Sequence, residues 1–195
     1  MLVCDPYDPA MTGMTLPKLD SVSVVTVSHH HADHDAVFSG PFVIDKPGEY
    51  EVSGITVVGV ACSHDDKNGL QRGKNIAYQI TIDGVSVCHL GDLGHRLTSE
   101  QLEGLGGVDV LLVPVGGFFT LDAKGAAEVV TQIGPKIVIP MHYKTPKHKE
   151  ENFEKLESVE PFLKEMGVEG LVSQPKLSVS ADRLPEQLQV AILES

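Results

Sequence analysis

The 195-residue sequence predicts a layered α/β fold, and three observations support this class. Short apolar runs typical of buried strands recur along the chain and alternate with helical segments in its second half. Gly-containing turns join several of these runs as hairpins. Four runs end in histidine or aspartate, as expected where the loops of an α/β domain converge on a ligand site. The length suits one domain, residues 1–195, with a sizeable core.

Strands and hairpins dominate the first half of the chain. Pro6 and Pro9 favour a loop after the first apolar run. Asp83-Gly84 is a tight-turn signal, and Ser53-Gly54 marks a second hairpin. The polar stretch 67–74 contains two glycines and is expected to be a mobile loop. The strands are predicted at residues 1–4, 22–27, 41–45, 50–52, 55–62, 75–82 and 85–90.

Helices and strands alternate in the second half. Thr98 is a suitable cap for a short helix. The order strand, helix, strand between residues 108 and 140 predicts a β-α-β unit. Short strands are expected around Leu177 and Val190. The helices are predicted at residues 98–105, 122–133 and 159–166, and the strands of the β-α-β unit begin at 108 and 136.

The most selective stretch is Ser28-His-His-His-Ala-Asp-His34, which follows the strand at 22–27. Neutral imidazole and carboxylate groups are ligands of zinc, manganese and iron. His29 and His31, two residues apart, can point the same way. Asp33 and His34 are expected to open a helix through Phe38 and to face a second position, since a helix start favours a carboxylate. The alternatives are a polar surface turn and a purification tag, and the tag fails because the run is internal and interrupted.

Three other predicted strands also end in groups that bind metals: His64, Asp92 and His142. Taken alone, His64 or His142 would more often be an ordinary polar residue. Their occurrence together with the histidine run predicts two metal sites. His89 and His95 flank Asp92 and could support it.

Composition limits the partners and the compartment. The formal charge of −12 argues against a nucleic-acid ligand, which needs a basic surface. No apolar segment is long enough to cross a membrane, and no secretion signal is visible. Three cysteines without paired spacing suggest reduced thiols in a cytoplasmic protein. We therefore expect a small-molecule substrate, no nucleic-acid or membrane partner, and leave a homo-oligomer open.

The order of these ligand-type residues resembles that of the metallo-β-lactamase-fold hydrolase superfamily. A second set of motifs resembles a subgroup of Zn-dependent hydrolases related to the L-ascorbate 6-phosphate lactonase branch. These motifs are Pro47-Gly-Glu-Tyr50, Arg72-Gly-Lys-Asn75, His89-Leu-Gly-Asp-Leu-Gly-His95, Pro114-Val-Gly-Gly117 and Pro140-Met-His-Tyr143. The resemblance implies a four-layer αββα sandwich with a binuclear site at one edge of its two sheets. Relative to this pattern, the chain lacks the usual first strand pair.

The resemblance also implies a division of the ligands between two metal ions. One ion would be held by His29, His31 and His64. The other would be held by Asp33, His34 and His142. Asp92 would bridge the two ions, and Asp5 would support the histidine turn.

The expected activity is metal-assisted hydrolysis of a small anionic ester, lactone or phosphoester by a hydroxide shared between two divalent metal ions. Zinc leads among the candidate metals, with manganese or iron possible. Asp92, His142 and Asp33 are the expected catalytic residues. Candidates that support the site or contact substrate are Asp5, His95, Arg72, Lys74, Gly116, Gly117 and Tyr143. The alternatives are an iron-dependent oxidoreductase on the same scaffold and a metal-binding module without turnover.

Overall fold

The computed structural model describes residues 1–16 and 18–194, which form two β-sheets and several short helices. A 3₁₀ turn at Ala181–Arg183 follows the last α-helix. Among the described residues, no helix is both long and apolar enough to span a bilayer. The strands and helices are β1 (Leu2–Cys4), α1 (Pro9–Thr12), β2 (Val24–Thr26), β3 (Phe42–Ile44), β4 (Gly48–Val52), β5 (Ile55–Ser63), β6 (Lys74–Ile82), β7 (Val85–His89), α2 (Ser99–Leu105), β8 (Val110–Pro114), α3 (Ala123–Ile133), β9 (Ile137–Met141), α4 (Glu150–Phe153), α5 (Glu160–Glu165) and β10 (Gln189–Val190).

Strand direction brings the predicted ligand residues to one edge of the large sheet. This seven-stranded sheet has the order β10-β9-β8-β7-β6-β5-β4, and the small sheet has the order β1-β2-β3 with all strands parallel. Strands β7 to β10 are parallel to one another. Because β5 and β7 are both antiparallel to β6, they run in the same direction. The carboxyl ends of β5, β7 and β9 therefore lie at the same edge.

Each face of the large sheet is packed against a separate apolar layer. Val24 and Ile44 of the small sheet pack against one face, where they meet Val57 and Tyr78. On the opposite face, Phe162 of α5 belongs to the core cluster formed by the helices and the central strands. Burial of these aliphatic and aromatic side chains is the main stabilising contribution of both layers.

The structure confirms most predicted elements and corrects three. The helix expected from Asp33 through Phe38 is wrong, because the backbone forms only turns at residues 32–34. A strand around Leu177 is also wrong, and that region contributes a single bridge, from Gln174 to Leu193. The proline loop contains helix α1, which was not predicted. Asp8 caps α1 and Pro9 occupies its first turn, a combination that favours helix initiation.

The two sheets are linked by the hydroxyl group of Tyr78, which is fully buried. Its oxygen lies 2.8 Å from the carbonyl oxygen of Val27 and 2.9 Å from that of Ile44. We expect Tyr78→Phe to lower the free energy of unfolding by about 1–3 kcal/mol, because a buried acceptor loses its donor. Tyr50→Phe is the control, since the Tyr50 hydroxyl donates to Lys46 at an exposed position. Urea unfolding of both variants tests this, and equal stabilities would contradict it.

Candidate metal centre

Four strand ends deliver imidazole and carboxylate groups to one place. The histidine run follows β2, His64 follows β5, Asp92 lies three residues beyond β7, and His142 follows β9. His142 has a φ of 52°, a left-handed conformation that is unfavourable for a residue with a Cβ atom. Such strain is typical of positions where the surrounding structure fixes a functional side chain.

The carboxylate of Asp92 lies at the centre of these groups and is only 2% exposed. Its Oδ2 atom lies 3.1 Å from His64 Nε2 and 3.2 Å from His142 Nε2. Its Oδ1 atom lies 3.3 Å from His34 Nε2. His29 Nε2 is 3.9 Å from Oδ2. Residues that are far apart in sequence therefore surround one buried carboxylate.

Two groups of three residues flank Asp92, and in each group the potential ligand atoms lie within 4.8 Å of one another. The first group is His29, His31 and His64, and the second is Asp33, His34 and His142. This is the division that the family resemblance implied. A third combination, Asp5 with His29 and His34, satisfies the same distance criterion. Asp5, however, is already hydrogen-bonded to the protein.

The donor set fits divalent cations. His29 Nε2 and Asp92 Oδ1 are buried, and neither has a hydrogen-bond partner among the residues that the structure describes. Leaving a buried polar atom without a partner is costly, so these atoms need a ligand. A set of imidazole nitrogens and carboxylate oxygens without thiolate is compatible with zinc, manganese or iron.

Asp5 supports the histidine turn, as expected. Its Oδ1 accepts the backbone N–H of Ser28 at 2.7 Å, and its Oδ2 accepts the Ser28 hydroxyl at 2.5 Å. Asp5 Oδ2 also lies 2.9 Å from His34 Nδ1. Ser28 Oγ is in turn 3.0 Å from His29 Nδ1. These contacts hold the Nδ1 side of both rings and leave the Nε2 atoms directed toward Asp92.

Asn75 supports Asp92 and was not predicted as a site residue. Its Oδ1 accepts the backbone N–H of Asp92 at 3.0 Å, and its Nδ2 donates to the carbonyl of Leu90 at 2.8 Å. Asn75 is 1% exposed. The signal in the sequence was an amide side chain at the start of an apolar strand, where a buried side chain is expected. Asn75 was named only as the last residue of the motif Arg72-Gly-Lys-Asn75.

His95 acts on the strand end that precedes His64. Its Nε2 accepts the backbone N–H of Ser63 at 3.1 Å, and its Nδ1 lies 2.7 Å from the carbonyl oxygen of Arg96. His89 is buried with its Nδ1 4.0 Å from Asp5 Oδ2. Both histidines therefore lie next to groups that position the potential ligands: His95 next to the backbone that precedes His64, and His89 next to the carboxylate of Asp5.

A cavity of about 600 Å³ opens over the cluster. Asp33, Asp92 and His142 line it together with Arg72 and Phe119. It is large enough for a small-molecule substrate. Arg72 is thus the predicted substrate residue that the structure places at the cavity.

The other predicted substrate residues do not line this cavity, but Lys74 and Tyr143 line neighbouring cavities that also border the cluster. Lys74 Nζ donates to the carbonyl of Asn68 at 2.8 Å and does not line this cavity. Tyr143 lines a second cavity of about 330 Å³. The N–H of Gly117 donates to Leu121 at 3.0 Å, so it is not available to an anionic oxygen.

Gly116 has a packing role. A Cβ atom at this position would clash with the carbonyl oxygen of His142. Glycine therefore permits the left-handed turn at His142 to approach the end of β8.

Electrostatics couple the charges of the cluster in the metal-free chain. Burial alone would lower the pKa of His34, but the carboxylates of Asp92 and Asp5 outweigh burial and raise it to about 10. Burial would raise the pKa of Asp92, but His142 and His34 hold it well below its usual range. Burial and the neighbouring His34 lower the pKa of His29 to about 3. In the metal-free chain at pH 7, His29 is therefore neutral, whereas His34 carries protons on both ring nitrogens and is positively charged.

The comparisons with known proteins show the family of the chain. A family model described as "Beta-lactamase superfamily domain" matches residues 1–142. The chain belongs to the metallo-β-lactamase superfamily of hydrolases. The predicted metallo-β-lactamase α/β fold is confirmed, and the chain is a metal-dependent hydrolase. The relation to the L-ascorbate 6-phosphate lactonase branch stays a prediction.

Several metal-dependent hydrolases are similar to this chain over most of its length. The chain is 31% identical over 170 residues to a UPF0173 metal-dependent hydrolase of Thermococcus onnurineus, covering 71% of this chain and 76% of that protein. It is 35% identical over 171 residues to a metal-dependent hydrolase of Pyrococcus horikoshii, with the same coverage. The crystal structure of a proposed Zn-dependent hydrolase of the metallo-β-lactamase superfamily from Thermotoga maritima matches with a TM-score of 0.77. That match has 37% identity and covers 98% of this chain and 88% of the other.

We expect zinc binding to the metal-free protein at pH 7 to release roughly one proton or more, because His34 must lose its proton before Nε2 can coordinate. Zinc affinity should accordingly increase as the pH rises from 7 toward 10. Asp5→Asn should release fewer protons at pH 7, since it removes a carboxylate that raises the pKa of His34. Calorimetric zinc titrations in buffers of different ionisation enthalpy measure the protons released. Equal proton release by both proteins would contradict this prediction.

Proposed function

We propose that this hydrolase uses two divalent metal ions, with zinc the first choice, to hydrolyse a small anionic ester, lactone or phosphoester. The observation that carries the proposal is the buried carboxylate of Asp92 between two groups of three potential ligands. When bound, such a pair of ions supplies hydroxide at neutral pH and polarises the scissile carbonyl or phosphoryl group. The free cysteines and the charge of −12 support a cytoplasmic location and a small-molecule rather than nucleic-acid substrate.

Asp92 is proposed to connect the two halves of the site. Its Oδ2 faces His64 of one group and its Oδ1 faces His34 of the other. Because Oδ2 also lies 3.2 Å from His142 of the second group, this carboxylate can contact both halves and offset part of the positive charge there. Asn75 fixes the backbone at Asp92, so the carboxylate is preorganised before substrate binds.

We propose that Asp33 and His142 take part in proton transfer on the side of the site that faces the cavity. Both line the cavity, and both are half-buried. Asp33 Oδ2 lies 3.7 Å from His34 Nε2, so its carboxylate lies beside another potential ligand of the second group. A carboxylate at this position can accept a proton from the attacking water.

We expect Asp92→Ala to lose at least one of two bound zinc ions and to reduce turnover by roughly a hundredfold or more, as is usual for loss of a main electrostatic group. Metal analysis and hydrolysis assays on lactone, thioester and phosphodiester substrates measure the two effects on the same samples. His30→Ala is the control for metal content, because the His30 side chain is 67% exposed and pairs with Asp35.

Unchanged metal content and turnover in Asp92→Ala would contradict the proposed connecting role. The metal analysis of the unaltered protein also tests the oxidoreductase alternative. Iron in place of zinc, with visible absorbance and no hydrolysis, would favour that alternative.

A further inference from the structure

The connection between β5 and β6 is organised by one buried carboxylate, that of Asp65, which is 6% exposed. Its Oδ1 accepts the backbone N–H groups of Lys67 and Gly69 at 2.8 and 2.9 Å. Its Oδ2 accepts those of Gln71 and Arg72 at 3.0 and 2.7 Å. Residues 67–74, which we expected to form a mobile loop, instead belong to a turn whose backbone donates four hydrogen bonds to the Asp65 side chain.

The backbone of this turn is tied to the metal centre. The N–H of His64 donates to the carbonyl of Gly73 at 3.1 Å, and the N–H of Gly73 donates to that of Gly69 at 3.1 Å. A Cβ atom at residue 69 would lie 2.6 Å from the carbonyl oxygen of Gly73. The turn therefore needs glycine at 69, and its two ends are fixed next to His64.

Arg72 projects from this turn across the cavity. Its Nη2 donates to the carbonyl of Phe118 at 2.8 Å. The guanidinium carbon lies 5.3 Å from the ring centroid of Phe118 and 5.1 Å from that of Phe119. Lys155 Nζ lies 4.6 Å from the Phe118 centroid, so two cations share this rim. Among the side chains that the structure describes, no carboxylate forms an ion pair with Arg72.

We propose that Arg72 binds an anionic group of the substrate, either a carboxylate or a phosphate, and that Asp65 is the residue that positions Arg72. The inference rests on the proposed function, because it concerns the substrate of that site. Contacts with aromatic faces orient the guanidinium without neutralising it. The guanidinium group has more N–H donors than its single hydrogen bond to Phe118 uses, and the planar arrangement of these donors matches the geometry of an oxyanion. In a chain with a charge of −12, this cation on the rim adds to the attraction that the cavity offers to an anion.

The role of Arg72 is tested by equilibrium binding to the zinc-loaded protein. The probes are inorganic phosphate, glutarate and the neutral glutaramide, titrated calorimetrically. We expect Arg72→Gln to bind phosphate, glutarate or both at least about tenfold more weakly, as for loss of a charge-assisted hydrogen bond, and glutaramide unchanged. The anion that loses affinity identifies the group. Lys67→Gln is the control, since it removes the same charge from the same turn at a side chain paired with Asp66.

The positioning role of Asp65 is tested by a double-mutant cycle. We expect Asp65→Asn to weaken binding of the same anion when the two proteins are compared at equal zinc occupancy, because the turn that holds Arg72 loosens. In the Arg72→Gln background, Asp65→Asn should have almost no further effect. A purely structural role would weaken binding equally in both backgrounds. Gly69→Ala provides a second way to disturb the turn with Asp65 intact, and should give the same pattern if Asp65→Asn does not fold.

The outcomes separate this inference from the proposed function. Equal anion affinity in the unaltered protein and in Arg72→Gln overturns the inference, and so does undetectable binding of both anions to the unaltered protein. Additive effects in the cycle overturn the role of Asp65. A zinc-loaded protein that shows Arg72-dependent anion binding but no hydrolysis contradicts only the proposed function.

Discussion

The buried carboxylate of Asp92 is the constraint on which the site depends. A charge this far from water is unstable unless it is paired and hydrogen-bonded. In the metal-free chain, His34 and His142 supply part of the compensation, since the Asp92 carboxylate raises the pKa of each against the effect of burial. Divalent cations would supply it more fully, so metal binding and folding of this edge of the sheet are linked.

The sheet places the ligands, and a small number of polar side chains fix them. Parallel strand directions bring residues from distant parts of the chain to one edge, but strand direction does not set the orientation of a ring. Asp5, Asn75 and His95 each hold a backbone group next to a potential ligand. Loss of any of these side chains would keep the overall fold but change the distances between the potential ligand atoms of the cluster, where small displacements matter most.

Features encoded by local pattern were predictable from the sequence. Hairpin turns, apolar strands and the capped helix after Thr98 agree with the structure because neighbouring residues determine them. The ligand set could be proposed because histidines and aspartates at strand ends form an unusual pattern. The helix expected after Asp33 did not form, because the next helical hydrogen bond is replaced: the N–H of Ala36 donates to the carbonyl of Pro6, and the carbonyl of Ala32 accepts the N–H of Asp8. Asn75 was missed because its partners, Leu90 and Asp92, are distant in sequence.

Hydrogen bonding distinguishes the three buried aspartates better than their sequence context does. Asp65 accepts four backbone N–H groups, and Asp5 accepts Ser28 and faces His34, so both carboxylates have partners within the protein. Asp92 Oδ1 is buried and has no hydrogen-bond partner in the described part of the chain. Carboxylates whose two oxygens both accept hydrogen bonds from the protein organise the structure around them, whereas a carboxylate with one buried oxygen left without a donor is suited to bind a cation. On this criterion we propose Asp92 as a metal ligand, whereas Asp65 and Asp5 shape the structure around it.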